Sequence, residues 1–128
     1  MSTLAFEPLS TSFFGCRITI SGIAYSSGVL FESPVSSPEQ ELALQNARSA
    51  FGFVQDERPV DLHAAVARRL PPTVDAAVFG ECRLVSLSAV WRTRAQSLGL
   101  SLAYGFDDGV YAIASLRDNT VEEVSLAD

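Results

Sequence analysis

Between Ser97 and Phe106 every second residue is large and every intervening one is small. Leu98, Leu100, Leu102, Tyr104 and Phe106 alternate with Ser97, Gly99, Ser101, Ala103 and Gly105. A helix cannot segregate such a pattern, because its same-face neighbours recur at three and four positions rather than two. The stretch therefore reads as a β-strand with one bulky face and one nearly bare face. Asp108-Gly109 follows it, a pair that tolerates the positive φ of a tight type I′ hairpin. Val110 to Leu116 then reads as the returning strand, Arg117-Asp118-Asn119-Thr120 as another turn, and Val121 to Leu126 as a last strand or tail. Upstream, Val85, Leu87, Ala89 and Trp91 alternate with Ser86, Ser88 and Val90, so the chain from Ala76 onward is expected to be β-rich.

The first part of the chain carries a second alternation. Phe14, Cys16, Ile18 and Ile20 share one face, and Arg17 and Thr19 the other. Ser26-Ser27-Gly28 is expected to turn this strand into a partner at Val29-Leu30-Phe31. The spacing then changes to that of a helix. Ser37 can cap, Pro38 suits a first helical turn, Gln40 completes a capping-box pattern, and Leu44, Ala47 and Phe51 form an apolar stripe. Gly52 is placed where a C-terminal glycine would end the helix. A second helix is expected from Leu62 to Leu70, capped by Asp61 and stopped by Pro71-Pro72. The order ββ-αα-ββββ predicts an α+β fold with a mainly antiparallel sheet and two helices on one face. The bare face formed by Gly99, Ser101, Ala103 and Gly105, grouped with Ala112 and Ala114 of the next strand, is expected to admit a closely packed layer, with an open ligand groove above the sheet as the alternative.

At 128 residues the chain reads as one domain over residues 1–128, with residues 1–11 loosely ordered and 127–128 a tail. A hydrophobic fraction of 48% excludes an acidic disordered segment. The net charge of −6 argues against nucleic-acid binding, which needs a cationic face. All basic residues are arginine; the absence of lysine reads as codon bias in preference to avoidance of amine-directed modification. The segment Met1 to Pro8 lacks the basic and apolar blocks of a signal peptide, and no apolar run is long enough for a membrane-spanning helix. With only Cys16 and Cys82, no disulfide framework or zinc motif is expected, and the chain reads as cytoplasmic with reduced thiols.

Candidate chemistry is sparse. His63 is the single histidine, so two-histidine metal sites are excluded. It borders the apolar stripe of the second helix, where a surface or helix-flanking role is a plainer reading than catalysis. A dyad with Cys16 or Cys82 is conceivable, but Cys16 sits on the apolar face of its strand and only Arg83 stands beside Cys82 to favour a thiolate. Asp56-Glu57, Asp107-Asp108 and Glu122-Glu123 are acidic pairs without calcium-loop spacing. Trp91 reads as a strand-end core residue, with Arg92 and Arg94 beside it as a weaker anion or stacking site. No phosphate loop, nucleophile elbow, zinc-protease or dinucleotide motif occurs.

These features lead to the expectation of a non-enzymatic cytosolic protein-binding module without cofactor or metal. Its most concrete form is an immunity-type inhibitor of a co-encoded bacterial toxin. Asp56, Glu57, Asp107 and Asp108 would face one protein partner with a basic surface. A small-ligand binder or small enzyme is the alternative, with a cleft between helices and sheet lined by Trp91, Arg92, Ser101, Tyr104 and Tyr111, and with His63 or Cys82 reactive. A secretion chaperone or adaptor fits the same charge, and homo-oligomerisation through a sheet edge stays open.

Overall fold

The computed structural model describes residues 4–57, 59–106 and 109–127. The chain is α+β. Strands β1 (Glu7–Pro8), β2 (Phe13–Ile20) and β3 (Ile23–Phe31) precede helices α1 (Ser37–Asp56), α2 (Pro59–Ala67) and α3 (Ala76–Gly80). Strands β4 (Arg83–Arg92), β5 (Ser97–Phe106), β6 (Gly109–Arg117) and β7 (Thr120–Leu126) follow. The strands form one seven-stranded sheet in sequence order. Every neighbouring pair is antiparallel except β3 and β4, which run parallel and are connected by the three helices. That parallel pairing follows from the connection: a hairpin cannot join parallel strands, whereas a helical crossover can.

The β2–β3 turn lies at Ser21-Gly22, where φ is 51° and 81°, and not at Ser26–Gly28. Two successive positive φ values match the sheet's twist, and the turn frees Ser26-Ser27-Gly28 to continue the strand. Ser27 is buried and its hydroxyl donates to the Leu87 carbonyl across the sheet. Gly28 is required because a Cβ there would meet the Phe14 carbonyl and the Phe13 ring. Turn-like composition therefore marks close packing at this point.

Ser36 caps α1, its hydroxyl accepting from the Glu39 amide at 3.3 Å. The helix passes through Gly52 because Val54 extends the buried stripe of Leu44, Ala47 and Phe51 by another turn. Helix α2 starts at Pro59, three residues before the expected Leu62, and ends at Ala67. Helix α3 replaces the β structure expected from Ala76; Asp75 caps it by accepting from the Ala77 amide at 2.9 Å. The turn expected at Asp108-Gly109 involves Asp108, which with Asp107 lies outside the described residues. The last segment is a full strand, and β1 pairs with β2 near the N-terminus, where Leu4 and Phe6 pack on the core.

The helices cover the large-residue face of the sheet. Leu100, Leu102 and Tyr104 are buried beneath them, as are Ile18, Val29, Phe31, Leu87, Ala89 and Trp91. The small residues are split. Register pairs Ala112 with Tyr104 and Ala114 with Leu102, so both alanines belong to the covered face. Ala43 and Ala47 of α1 are fully buried on the same side, which lets helix and sheet approach closely. Gly99, Ser101, Ala103 and Gly105 point the other way, and none of the helices packs there.

Candidate functional site

Two features stand out once the faces are assigned. The first is the uncovered face of the sheet. Cross-strand register aligns Phe13 with Leu30 and Leu30 with Val90, and Val90 with Gly99. These residues make an apolar row across β2 to β5, in which Leu30 is 45% exposed. Beside it, Gly99, Ser101 and Ser115 floor a shallow groove bordered by Arg92, Arg117 and Glu122. Arg117 and Glu122 pair at 2.6 Å while remaining largely solvated, so the pair orders the rim and adds little stability.

The second feature is a cleft of about 420 Å³ between α2, α3 and the sheet. Ile20, Ile23, Val54, Val60, Leu62 and Leu84 form its apolar walls, and Tyr25, His63, Cys82 and Tyr104 bring polar atoms to it. The His63 ring lies 4.4 Å from Phe79 and 5.5 Å from Tyr104, centroid to centroid. Its Nε2 is 3.0 Å from the Phe79 carbonyl. A carbonyl only accepts, so Nε2 carries the proton in this bond, and in the matching imidazole tautomer Nδ1 is an acceptor. His63 is half-buried, at the border of its helix's apolar stripe as expected, and its ring joins an aromatic cluster that the helix position alone did not reveal.

Tyr104 is only 3% exposed, yet its hydroxyl has no hydrogen-bond partner among the described residues. Every fully enclosed side-chain oxygen or nitrogen there is satisfied, so the Tyr104 hydroxyl opens onto the cleft it lines. Burial, reinforced by nearby Tyr25, pushes its ionisation far above the usual tyrosine range. Tyr25 donates to the Leu84 carbonyl at 2.8 Å, and burial also raises its ionisation, partly countered by Arg83. Burial, with Glu81 adding to it, pushes the Cys82 thiol up, and its Sγ rests 3.6 Å from the Val78 carbonyl. No hydrogen bond joins Cys82 to His63 among the described residues, so the two do not form an activated dyad. Burial raises the Cys16 thiol in the same way.

The residues singled out from sequence are dispersed. Trp91 is fully buried, and its Nε1 donates to the Glu39 carboxylate at 2.8 Å. Arg92 and Ser101 lie on the uncovered face, Tyr104 lines the cleft, and half-buried Tyr111 stacks edgewise on Phe106 at 6.4 Å. Asp56 ends α1 and Glu57 caps it, while Asp107 and Asp108 lie outside the described residues. Among the described residues no cluster of three metal-ligating side chains forms, and no helix is long and apolar enough to cross a membrane. Sequence reading missed the convergence of His63, Phe79 and Tyr104; the signal was the apolar Ala76–Phe79 segment behind Asp75, a short capped helix. Comparison with family models, with characterised proteins and with solved structures gives no match, so the functional reading rests on this geometry.

Proposed function

We propose that this chain is a non-enzymatic protein-binding module that docks a single partner on the uncovered face of its sheet. The supporting observation is the in-register row Phe13, Leu30 and Val90 beside the small-residue groove at Gly99 and Ser101. Exposed Leu30, aligned in register with the half-buried Phe13 and Val90, provides the water-excluding centre of an interface, and a rim of charged residues completes it. The face itself mixes Arg17, Arg92 and Arg117 with Glu122 and Glu123. The net charge of −6 therefore acts over the whole molecule, speeding encounter with a basic partner. In its most concrete form the module is a cytosolic immunity-type inhibitor that occludes the active site of a co-encoded bacterial toxin.

The test is a quantitative comparison of partners captured from the native host by the unaltered chain and by Leu30→Arg and Ser101→Arg. Both positions are outside the helix-packed core, so melting temperatures should stay within a few degrees of the original. A stoichiometric partner lost with both variants, whose toxicity the unaltered chain suppresses, is the expected result. A partner retained by both would move the interface away from this face.

A further inference from the structure

The cleft between α2, α3 and the sheet has a composition that the partner reading does not use. Its walls come from side chains of five elements: Ile20 of β2, Ile23 of β3, Val54 of α1, Leu62 of α2 and Leu84 of β4. A volume of about 420 Å³ lies within the range of small-molecule sites, roughly 300–1,000 Å³. Such sites combine apolar walls with a few polar atoms that fix orientation.

The polar atoms here are specific. The Tyr104 hydroxyl belongs to a residue 3% exposed, has no partner among the described residues, and opens onto the cleft. A hydroxyl of this kind both donates and accepts. His63 Nε2 is committed to the Phe79 carbonyl, which leaves Nδ1 as an acceptor without a bond among the described residues. The Tyr25 hydrogen is committed to the Leu84 carbonyl. One donor-acceptor hydroxyl and one acceptor nitrogen, set in apolar walls, match a guest hydroxyl that accepts from Tyr104 and donates to His63. Arg83 is the charged residue on the cleft's lining, but it is exposed and already engaged, so a charged guest would lose its hydration among these walls without a buried counter-charge.

We propose that this cleft is a binding site for an uncharged, largely apolar hydroxyl compound, a phenol or small alcohol, held by the Tyr104 hydroxyl and His63 Nδ1. The site lies on the helix-covered side of the sheet, and its occupancy does not depend on the docking surface opposite.

The probes are 4-ethylphenol, its hydroxyl-free analogue ethylbenzene, and the anionic 4-ethylbenzoate, titrated into the isotope-labelled full chain at neutral pH. Binding of 4-ethylphenol should shift resonances of Val54, Leu62 and Tyr104, with the other two probes about tenfold weaker. Tyr104→Phe keeps the ring and removes only the unbonded hydroxyl, so it should fold and bind 4-ethylphenol about tenfold more weakly, while ethylbenzene is unaffected. Ala64→Trp, at an exposed position lining the cleft, provides a second variant that should abolish the shifts by filling the space. Overturning results are no shifts at these residues at millimolar 4-ethylphenol, equal affinity for all three probes, or unchanged affinity in both variants.

Discussion

At the residue scale, Trp91 and Tyr104 show how similar aromatic side chains come to different ends. Both are buried on the helix-covered face, but the Trp91 indole N–H is satisfied by Glu39 whereas the Tyr104 hydroxyl is unbonded among the described residues. Replacing Trp91 with Phe removes ring volume and leaves the Glu39 carboxylate without its donor, which should cost about 2–4 kcal/mol in chemical denaturation. Tyr104→Phe deletes a hydroxyl that contributes no internal hydrogen bond, so the same measurement should change by less than about 0.5 kcal/mol. The raised ionisations of Cys16, Tyr25, Cys82 and Tyr104 share burial as their main cause and have one consequence for pH. Below about pH 7.5 these groups are protonated in folded and unfolded chains alike, and their contribution is constant. Above it the unfolded chain releases protons that the folded chain retains, so stability should fall as pH climbs toward the folded ionisations. Denaturation midpoints measured from pH 7 to pH 10.5 check this; a midpoint rising above pH 9 would contradict it. Trp91 as a core residue was legible from its place in an alternating strand. The role of His63 was not, since its carbonyl partner belongs to Phe79 and its second ring neighbour to a strand far along the chain.

Glycine marks where element boundaries were and were not readable. Gly52 looked like the end of α1, yet the helix continues through it with open space where a Cβ would go. Gly52→Ala should therefore stabilise the chain by about 0.5–1 kcal/mol, since alanine loses less entropy in a helix. Gly105 is different. It adjoins the irregularity between β5 and β6, and a Cβ there would collide with the backbone of Gly109 and Val110. Gly105→Ala should cost more than about 1 kcal/mol, and thermal melts of the two variants should move in opposite directions. Removing the α1 cap with Ser36→Ala should cost about 1 kcal/mol. The long alternations of β2, β4 and β5 were legible because period two persists over many residues. Helix α3 was not, since a five-residue element completes barely more than one turn and leaves no repeat to detect. Ser26–Gly28 misled for the opposite reason, because close packing and turns select the same small residues.

For the whole molecule, the order of elements was enough to give α+β with a mostly antiparallel sheet, as the structure shows. The parallel meeting of β3 and β4 was not readable, because it depends on how the helical connection crosses and no local pattern encodes that. The same gap reversed the expected use of the bare face. A strand's two faces are distinguishable in sequence, but which one receives the helices depends on where the apolar stripe of α1 settles. Burial of large side chains decides it, since covering Leu100, Leu102 and Tyr104 removes far more apolar area from water than covering Gly99, Ser101 and Ala103. The proposed candidates consequently fall on opposite sides, with Arg92 and Ser101 on the open face and Tyr104 beneath the helices. Because net charge is spread over the molecule, raising salt should slow association with a basic partner while leaving dissociation nearly unchanged, as surface binding kinetics would record.

The most direct measurement is thiol labelling on the open face, using Ser88→Cys, Ser101→Cys and Ser115→Cys one at a time. The native thiols are buried or half-buried and held protonated, which keeps their background reaction slow. In the isolated chain, alkylation at all three positions should be rapid, and it should slow at least about tenfold when the captured partner is bound. Slow labelling in the isolated chain, or labelling that the partner leaves unchanged, would contradict a partner seated on this face.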